Sequence, residues 1–200
     1  NELLLKNIKH PNLIEIIKEE TTDVNSYIYF KYYDIQDLLN YLTLNNRNKF
    51  ELYFFNKKII AQLLNVVYFL HKNNIVHRDI KVDNILYDEM RNKIYLCDYE
   101  YCSEDIYDDY LVGTRCYSPP EIINKEKSIN YKKVDIWCLG IVFFIILSRG
   151  KLLKISEFIK PEIVKNYILE NEYNFISNCL SSNALNRLET KELLELEYLK

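Results

Sequence analysis

Two hundred residues, 48% hydrophobic and 28% charged, are enough for one globular domain or two small lobes with a sizeable core, which excludes a disordered or collagen-like chain. Twenty-six Lys and Arg against 29 Asp and Glu leave a formal charge of −3, which gives no reason to expect nucleic acid or an anionic membrane as partner. Only three glycines occur, Gly113, Gly140 and Gly150, too far apart for a G-x-G-x-x-G turn or a P-loop.

The chain opens at Asn1 without a Met, as a trimmed or partial sequence would, inside an apolar helix of Leu3, Leu4, Leu5 and Ile8 that Pro11 stops. Residues 27–33 alternate and are rich in aromatics, which predicts a strand. A polar helix starts near residues 34–37, and the Asn-rich residues 45–48 read as a loop. From about residue 50 to 72, Ile59, Ile60, Leu63, Leu64, Val67 and Leu70 form one helical stripe facing a core. Short strands at 85–87 and 93–97 flank a polar turn, and helices follow at 134–148, within 162–180 and at 190–196. The longest apolar run, residues 136–147, falls well short of the roughly 20 residues that span a bilayer and predicts a buried core helix.

Five cysteines, Cys97, Cys102, Cys116, Cys138 and Cys179, contain no C-x-x-C pair and are odd in number. They read as free thiols in a reducing compartment, so an intracellular location, cytoplasm or nucleus, is expected.

The residue types near the hairpin carry chemistry. A turn centred near residue 91 would make facing positions sum to about 182 and would set Asn84 opposite Asp98 at the open end of the ladder. An amide oxygen and a carboxylate are the hard ligands that Mg²⁺ accepts, the rest coming from water and phosphate. Just upstream, His77-Arg78-Asp79-Ile80-Lys81 puts a carboxylate and an ammonium two residues apart on a turn. One can accept a proton while the other steadies a transferring phosphoryl group.

The run His77-Arg78-Asp79-x-Lys81-x-x-Asn84 followed by Asp98 resembles the catalytic loop and metal-binding segment of the eukaryotic protein kinases, and Lys81 points to their Ser/Thr branch. Gly113-Thr114-Arg115-Cys116-Tyr117-Ser118-Pro119-Pro120-Glu121 resembles the end of the activation segment. Asp135-Ile136-Trp137-Cys138-Leu139-Gly140 resembles the start of the central helix of the large lobe, and Arg187-Leu188 supplies the arginine that pairs with Glu121. With Leu3 to Asn12 resembling the end and exit of the small-lobe helix, the likeness covers essentially the whole chain.

The resemblance implies an α+β, protein-kinase-like fold, with residues 1–33 as a partial small lobe and 34–200 as a mainly helical large lobe. It implies an ATP- and Mg²⁺-dependent protein serine/threonine kinase acting on a protein substrate. Asp79 would be the base, Lys81 a γ-phosphate contact, Thr114 a bridge between them, and Asn84 and Asp98 the metal ligands. Lys31, Tyr32 and Tyr33, behind Phe30, would form the adenine hinge, with Leu86 beneath the ring. His77 and Tyr99 would be packing residues, Asp135 a buried cap on the catalytic loop, and Glu121 with Arg187 a buried ion pair.

Several positions depart from the family pattern. The family's glycine-rich strands and their lysine precede the small-lobe helix and are missing from these 200 residues, and the partner glutamate's position falls on Asn1, so this chain alone is expected to turn over poorly. The alternative reading is an inactive pseudokinase or fragment acting as a binding module. Tyr99 replaces Phe, and Glu100 replaces a glycine where the backbone was expected to need φ > 0. Between Gly150 and Phe175 little room is left for a substrate-docking helix. Arg78 predicts an activation-loop phosphate, and counting back from Thr114 places Asp109 there as a permanent negative charge.

Overall fold

The computed structural model describes residue 4 and residues 8–44, 49–109 and 111–200. The expected helix through Leu3, Leu4, Leu5 and Ile8 falls mostly outside the described residues, and the expected loop at 45–48 falls wholly outside them. Antiparallel strands β1 (Ile16–Thr21) and β2 (Ser26–Phe30) form a two-stranded sheet. The strand ends at Phe30, so Lys31, Tyr32 and Tyr33 run on as irregular backbone. Helices α1 (Leu38–Leu44) and α2 (Lys49–Lys72) follow, α1 directly after the two-residue strand β3 (Gln36–Asp37). The apolar stripe of α2 is completely buried at Ile59, Ile60, Leu63, Leu64, Val67 and Leu70, as a core-facing stripe should be.

Strand β3 continues the sheet of the hairpin β4 (Ile85–Asp88) and β5 (Lys93–Leu96). The register corrects the expected pairing. Ile85 faces Leu96 and Asp88 faces Lys93, so the turn is centred between residues 90 and 91 and facing positions sum to 181. Four residues close the loop, fixed by Asn92 N–H donating to Glu89 O and Arg91 N–H donating to Asp88 Oδ1. Asn84 therefore lies opposite Cys97, whose N–H donates to Asn84 O at 3.0 Å, and Asp98 lies one step farther on.

The hydrophobic core is built around α4 (Tyr131–Leu147), preceded by the pair β6 (Tyr107–Asp108) and β7 (Ile129–Asn130) and by the short α3 (Pro120–Ile123). Helix α4 starts three residues before the sequence expectation because the Asn130 side chain caps it by accepting from Lys132 N–H. Every residue from Val134 to Leu147 is buried, so this helix is closed in on all sides and lies inside the core. Among the described residues no helix is long and apolar enough to cross a membrane.

Residues 151–180 carry three short helices, α5 (Ile155–Phe158), α6 (Pro161–Val164) and α7 (Glu170–Ile176), where one helical stretch within 162–180 was expected. Helix α8 (Thr190–Glu195) packs on α2. Gly140 makes the close approach of α4 possible: a Cβ there would stand 2.7 Å from Cys179 Cβ and from Leu180 Cδ2.

Candidate active site

The loop between α2 and β4 is held by a carboxylate from another part of the chain. Asp135, fully buried in the first turns of α4, accepts His77 N–H and Arg78 N–H at 2.9 Å each, and its Oδ2 lies 2.9 Å from His71 Nε2 on α2. Those bonds keep Arg78 at φ 69°, a left-handed conformation that costs a non-glycine residue energy unless its surroundings hold it. With the loop fixed, Asp79 faces inward and is nearly buried.

Four groups then converge. Lys81 Nζ donates to Asp79 Oδ2 at 2.6 Å, and Thr114 donates to Asp79 Oδ1 through its hydroxyl at 2.7 Å and its N–H at 2.9 Å. Lys81 Nζ also donates to Thr114 Oγ1 at 3.0 Å, closing a triangle. Asn84 Nδ2 donates to Asp79 O at 2.9 Å and lies 3.3 Å from Asp79 Oδ2. Gly113 admits Thr114 to this triangle: at φ 101° it would place any Cβ 2.6 Å from Arg78 O, so a larger residue would push the segment away.

The electrostatics follow from this packing. Burial opposes ionisation of Asp79, but hydrogen bonds from Lys81 and Thr114 and the Lys81 charge outweigh it, so the carboxyl sits below the usual range. Burial opposes the charge on Lys81 too, and the Asp79 bond with the fields of Asp79, Asp98 and Asp83 raises its pKa nonetheless. Asp79 is thus held as a carboxylate and Lys81 as an ammonium.

Asn84 turns its amide nitrogen to Asp79, which leaves Oδ1 outward. Neither that oxygen nor the Asp98 carboxylate accepts a hydrogen bond among the described residues. Two hard, unpaired oxygens fit a Mg²⁺ ion that takes its remaining ligands from water and phosphate. No cluster of three His, Cys, Asp or Glu side chains suited to a metal occurs among the described residues. Asp98 is the residue in the left-handed region here, at φ 63°. This corrects the expectation for Glu100, whose φ is negative, so a side chain there brings no backbone strain.

Asp98 also borders a cavity of about 380 Å³ with Lys31, Tyr32, Tyr33, Leu86, Phe30, Cys97 and Ile14. The residues expected at the hinge, Leu86 from β4 and Asp98 therefore line one space. Burial first, and then the Asp98 charge, push the Cys97 thiol up to about 11, which keeps it a neutral wall of this cavity.

His77 and Tyr99 are fully buried with ring centroids 6.0 Å apart, edge to face. The Tyr99 hydroxyl does more than a phenyl ring could: it donates to Leu96 O at 2.6 Å and accepts Ile14 N–H at 2.8 Å. Glu121 and Arg187 form a buried two-pronged pair at 2.6 and 2.8 Å, and Arg187 also lies over the Trp137 ring.

One site assignment needs correction. Arg78 does not meet Asp109. Its Nη1 donates to Asp108 Oδ2 at 3.0 Å and its Nη2 to Asp105 O at 2.6 Å, while its guanidinium stacks 4.4 Å from the Tyr131 ring. Asp109 instead accepts Ser128 N–H. The pairing of β6 with β7 sets this alternation, sending Asp108 toward the loop and Asp109 toward the turn before β7. Sequence reasoning also missed His71 and Tyr131, and it quoted Gly113 in a motif without its backbone role. A positive φ and a close approach signal Gly113 only once the segment is folded, and His71 and Tyr131 are linked to the loop solely by three-dimensional contact.

The sequence pattern that defines the protein kinase domain matches residues 2–199. Serine/threonine-protein kinase max-2 of Caenorhabditis elegans is 32% identical over 212 residues, covering 98% of this chain and 32% of that protein. Serine/threonine-protein kinase ppk25 of Schizosaccharomyces pombe is 27% identical over 210 residues, 99% of this chain and 48% of the relative. Cyclin-dependent kinase-like 4 of Homo sapiens is 30% identical over 238 residues, 98% of this chain and 61% of the relative. The chain thus spans between about a third and three fifths of the length of these relatives. A match that runs from one end of the chain to the other, with the Asp79 loop inside it, makes this chain a member of the protein kinase domain family.

Proposed function

We propose that this chain is the catalytic part of a protein serine/threonine kinase that moves the γ-phosphoryl group of ATP to a protein hydroxyl. The observation that carries the proposal is the convergence of Lys81 and Thr114 on an ionised Asp79, beside two unpaired oxygens from Asn84 and Asp98. Phosphoryl transfer asks a protein mainly for positioning and for charge placed where charge develops, and these four side chains supply both.

In this reading Asp79 orients the acceptor hydroxyl and takes its proton as the oxygen attacks phosphorus. The depressed pKa of Asp79 keeps it unprotonated and ready to accept, while the Lys81 ammonium faces the transferring phosphoryl group. Thr114 ties the two together, so that neither rotates away. Asn84 and Asp98 would hold Mg²⁺, which when bound neutralises the phosphate oxygens. The backbone of Lys31, Tyr32 and Tyr33 would receive the adenine, with Leu86 under its ring. The division into a small-lobe piece, residues 1–33, and a large lobe, residues 34–200, belongs to the same proposal. It is supported by the irregular backbone from Lys31 onward, where the two meet.

Transfer of labelled γ-phosphate to a protein acceptor tests this. The expected result is transfer that requires Mg²⁺ and falls about 10²- to 10⁴-fold in Asp79→Asn, the range for loss of a general base. Thermal stabilisation by ATP and Mg²⁺ should survive that change and disappear in Asp98→Asn. Transfer undiminished in Asp79→Asn would remove Asp79 from the proposed role.

A further inference from the structure

A second space, of about 800 Å³, lies between residues 8–16, residues 31–34 and the β4–β5 hairpin. This volume is within the range of small-ligand pockets. The space shares Ile14 and residues 31–33 with the cavity beside Asp98. Leu86 and Asp98 line only the smaller of the two, whereas Met90 and Lys93 line only the larger.

Its charges do not balance. Four Lys and Arg side chains line it against three carboxylates, which leaves one positive charge in excess. Two of the cations are already paired, Lys31 with Glu15 at 3.4 Å and Arg91 with Asp88 at 2.6 Å. Lys9 and Asp34 are exposed and keep their water. Lys93 is different: it is half-buried, stands 5.0 Å from the centroid of the buried Tyr95 ring, and meets no carboxylate among the described residues. A cation drawn partly out of water costs free energy until an anion meets it. Burial, and then the Lys93 charge, lower the pKa of His10 on the same wall, so this imidazole adds no second cation.

We propose that this space binds a small aromatic carboxylate, a planar apolar body whose single negative charge is received by Lys93. The body is matched by Leu13, Ile16 and Met90, and by the half-buried Tyr33 ring, which lies 4.4 Å from Tyr95 at a tilt of 40°. A planar ring meets such a pair by offset or edge contact. The charge count sets the number of anions. One carboxylate neutralises the excess, whereas a phosphate monoester or an acidic peptide would bring a second negative charge into a space already lined by Glu15, Asp34 and Asp88.

Met90 makes the test site-specific, because it is the single methionine of the chain and is 93% exposed on this space. Its methyl group, labelled with carbon-13, is followed by NMR while the full chain is titrated with 2-naphthoate and, separately, with the uncharged 2-naphthamide. The expected result is a saturable shift of the methyl signal, with a Kd at least about tenfold lower for naphthoate than for naphthamide. Lys93→Met should bring the two Kd values together, and Lys93→Arg should keep them apart. Equal Kd values in the wild type overturn the inference, and that comparison needs no variant to fold. A preference that survives Lys93→Met overturns it too, as does 2-naphthyl phosphate binding more tightly than naphthoate. Naphthoate that binds by calorimetry while the Met90 signal stays still occupies another place, such as the cavity beside Asp98, and likewise overturns it.

Discussion

Asp108 lies against a guanidinium that is 6% exposed, and the carboxylate itself keeps some contact with solvent. Removing it leaves a mostly buried Arg78 with one charged partner fewer, and breaking such a pair costs more than breaking a surface one. Asp108→Asn should destabilise the chain by about 1–3 kcal/mol in urea unfolding and lower phosphoryl transfer. Asp109→Asn, at a carboxylate whose hydrogen bond among the described residues is the one from Ser128 N–H, should do less on both counts. The one-residue error in assigning this partner has a physical origin: counting along an irregular segment fixes distance in sequence, whereas the side-chain direction is set by pairing with β7. Glu100 was misread for a similar reason, since the left-handed residue falls two positions earlier, at Asp98. His77 adds a pH prediction. Burial lowers its pKa below the ordinary 6.5, partly offset by the Asp135 and Asp79 charges. The unfolded chain therefore gains a proton near pH 6.5 that the folded chain resists, so stability is full above that value and declines as pH falls toward the lowered one. The melting temperature should drop between about pH 7.5 and 5.5, and His77→Phe should flatten that drop.

Elements are joined at a few polar points. The Tyr99 hydroxyl links the end of β5 to the segment before β1 by two hydrogen bonds, so Tyr99→Phe should cost about 0.5–2 kcal/mol in chemical denaturation. If the cost is absent, those bonds contribute no net stability. Glu121 on α3 and Arg187 before α8 form the stronger joint. Arg187→Ala strands a buried carboxylate and should cost about 3–5 kcal/mol, with Glu121→Gln less severe because an amide can still accept from the guanidinium. Residue types and order made this pair legible in the sequence through the family likeness. The hairpin was legible in its strands but shifted in register, because a one-residue change of pairing across a polar turn leaves no trace in composition. The start of α4 was missed by one turn because the cap, Asn130, sits beside polar residues that look like loop.

For the molecule as a whole, burial is unevenly divided. Helices α2 and α4 are sealed in one core, whereas β1 and β2 pair only with each other among the described strands, and Ile17, Tyr27 and Tyr29 are 65%, 48% and 45% exposed. Local stability follows buried contact, so amide exchange should be fastest in β1 and β2 and slowest in the middle of α4. Equal protection of the two regions would contradict this ordering. The segment from α2 to α4 was the readable part because long apolar periodicity and punctuated motifs reinforce each other there. The helices between α4 and α8 were not resolved in advance, since four- to seven-residue helices in a polar, Asn-rich stretch carry too few periods to register.

The grip of Asp135 on the loop has a bearing on the order of events at the ribosome. The groups it holds, His71, His77 and Arg78, precede it by 64, 58 and 57 residues. A nascent chain that has emerged only through Asn84 thus carries the whole Asp79 loop without the anchor that shapes it. The bonds that shape the loop can therefore form only once α4 has been synthesised and docked.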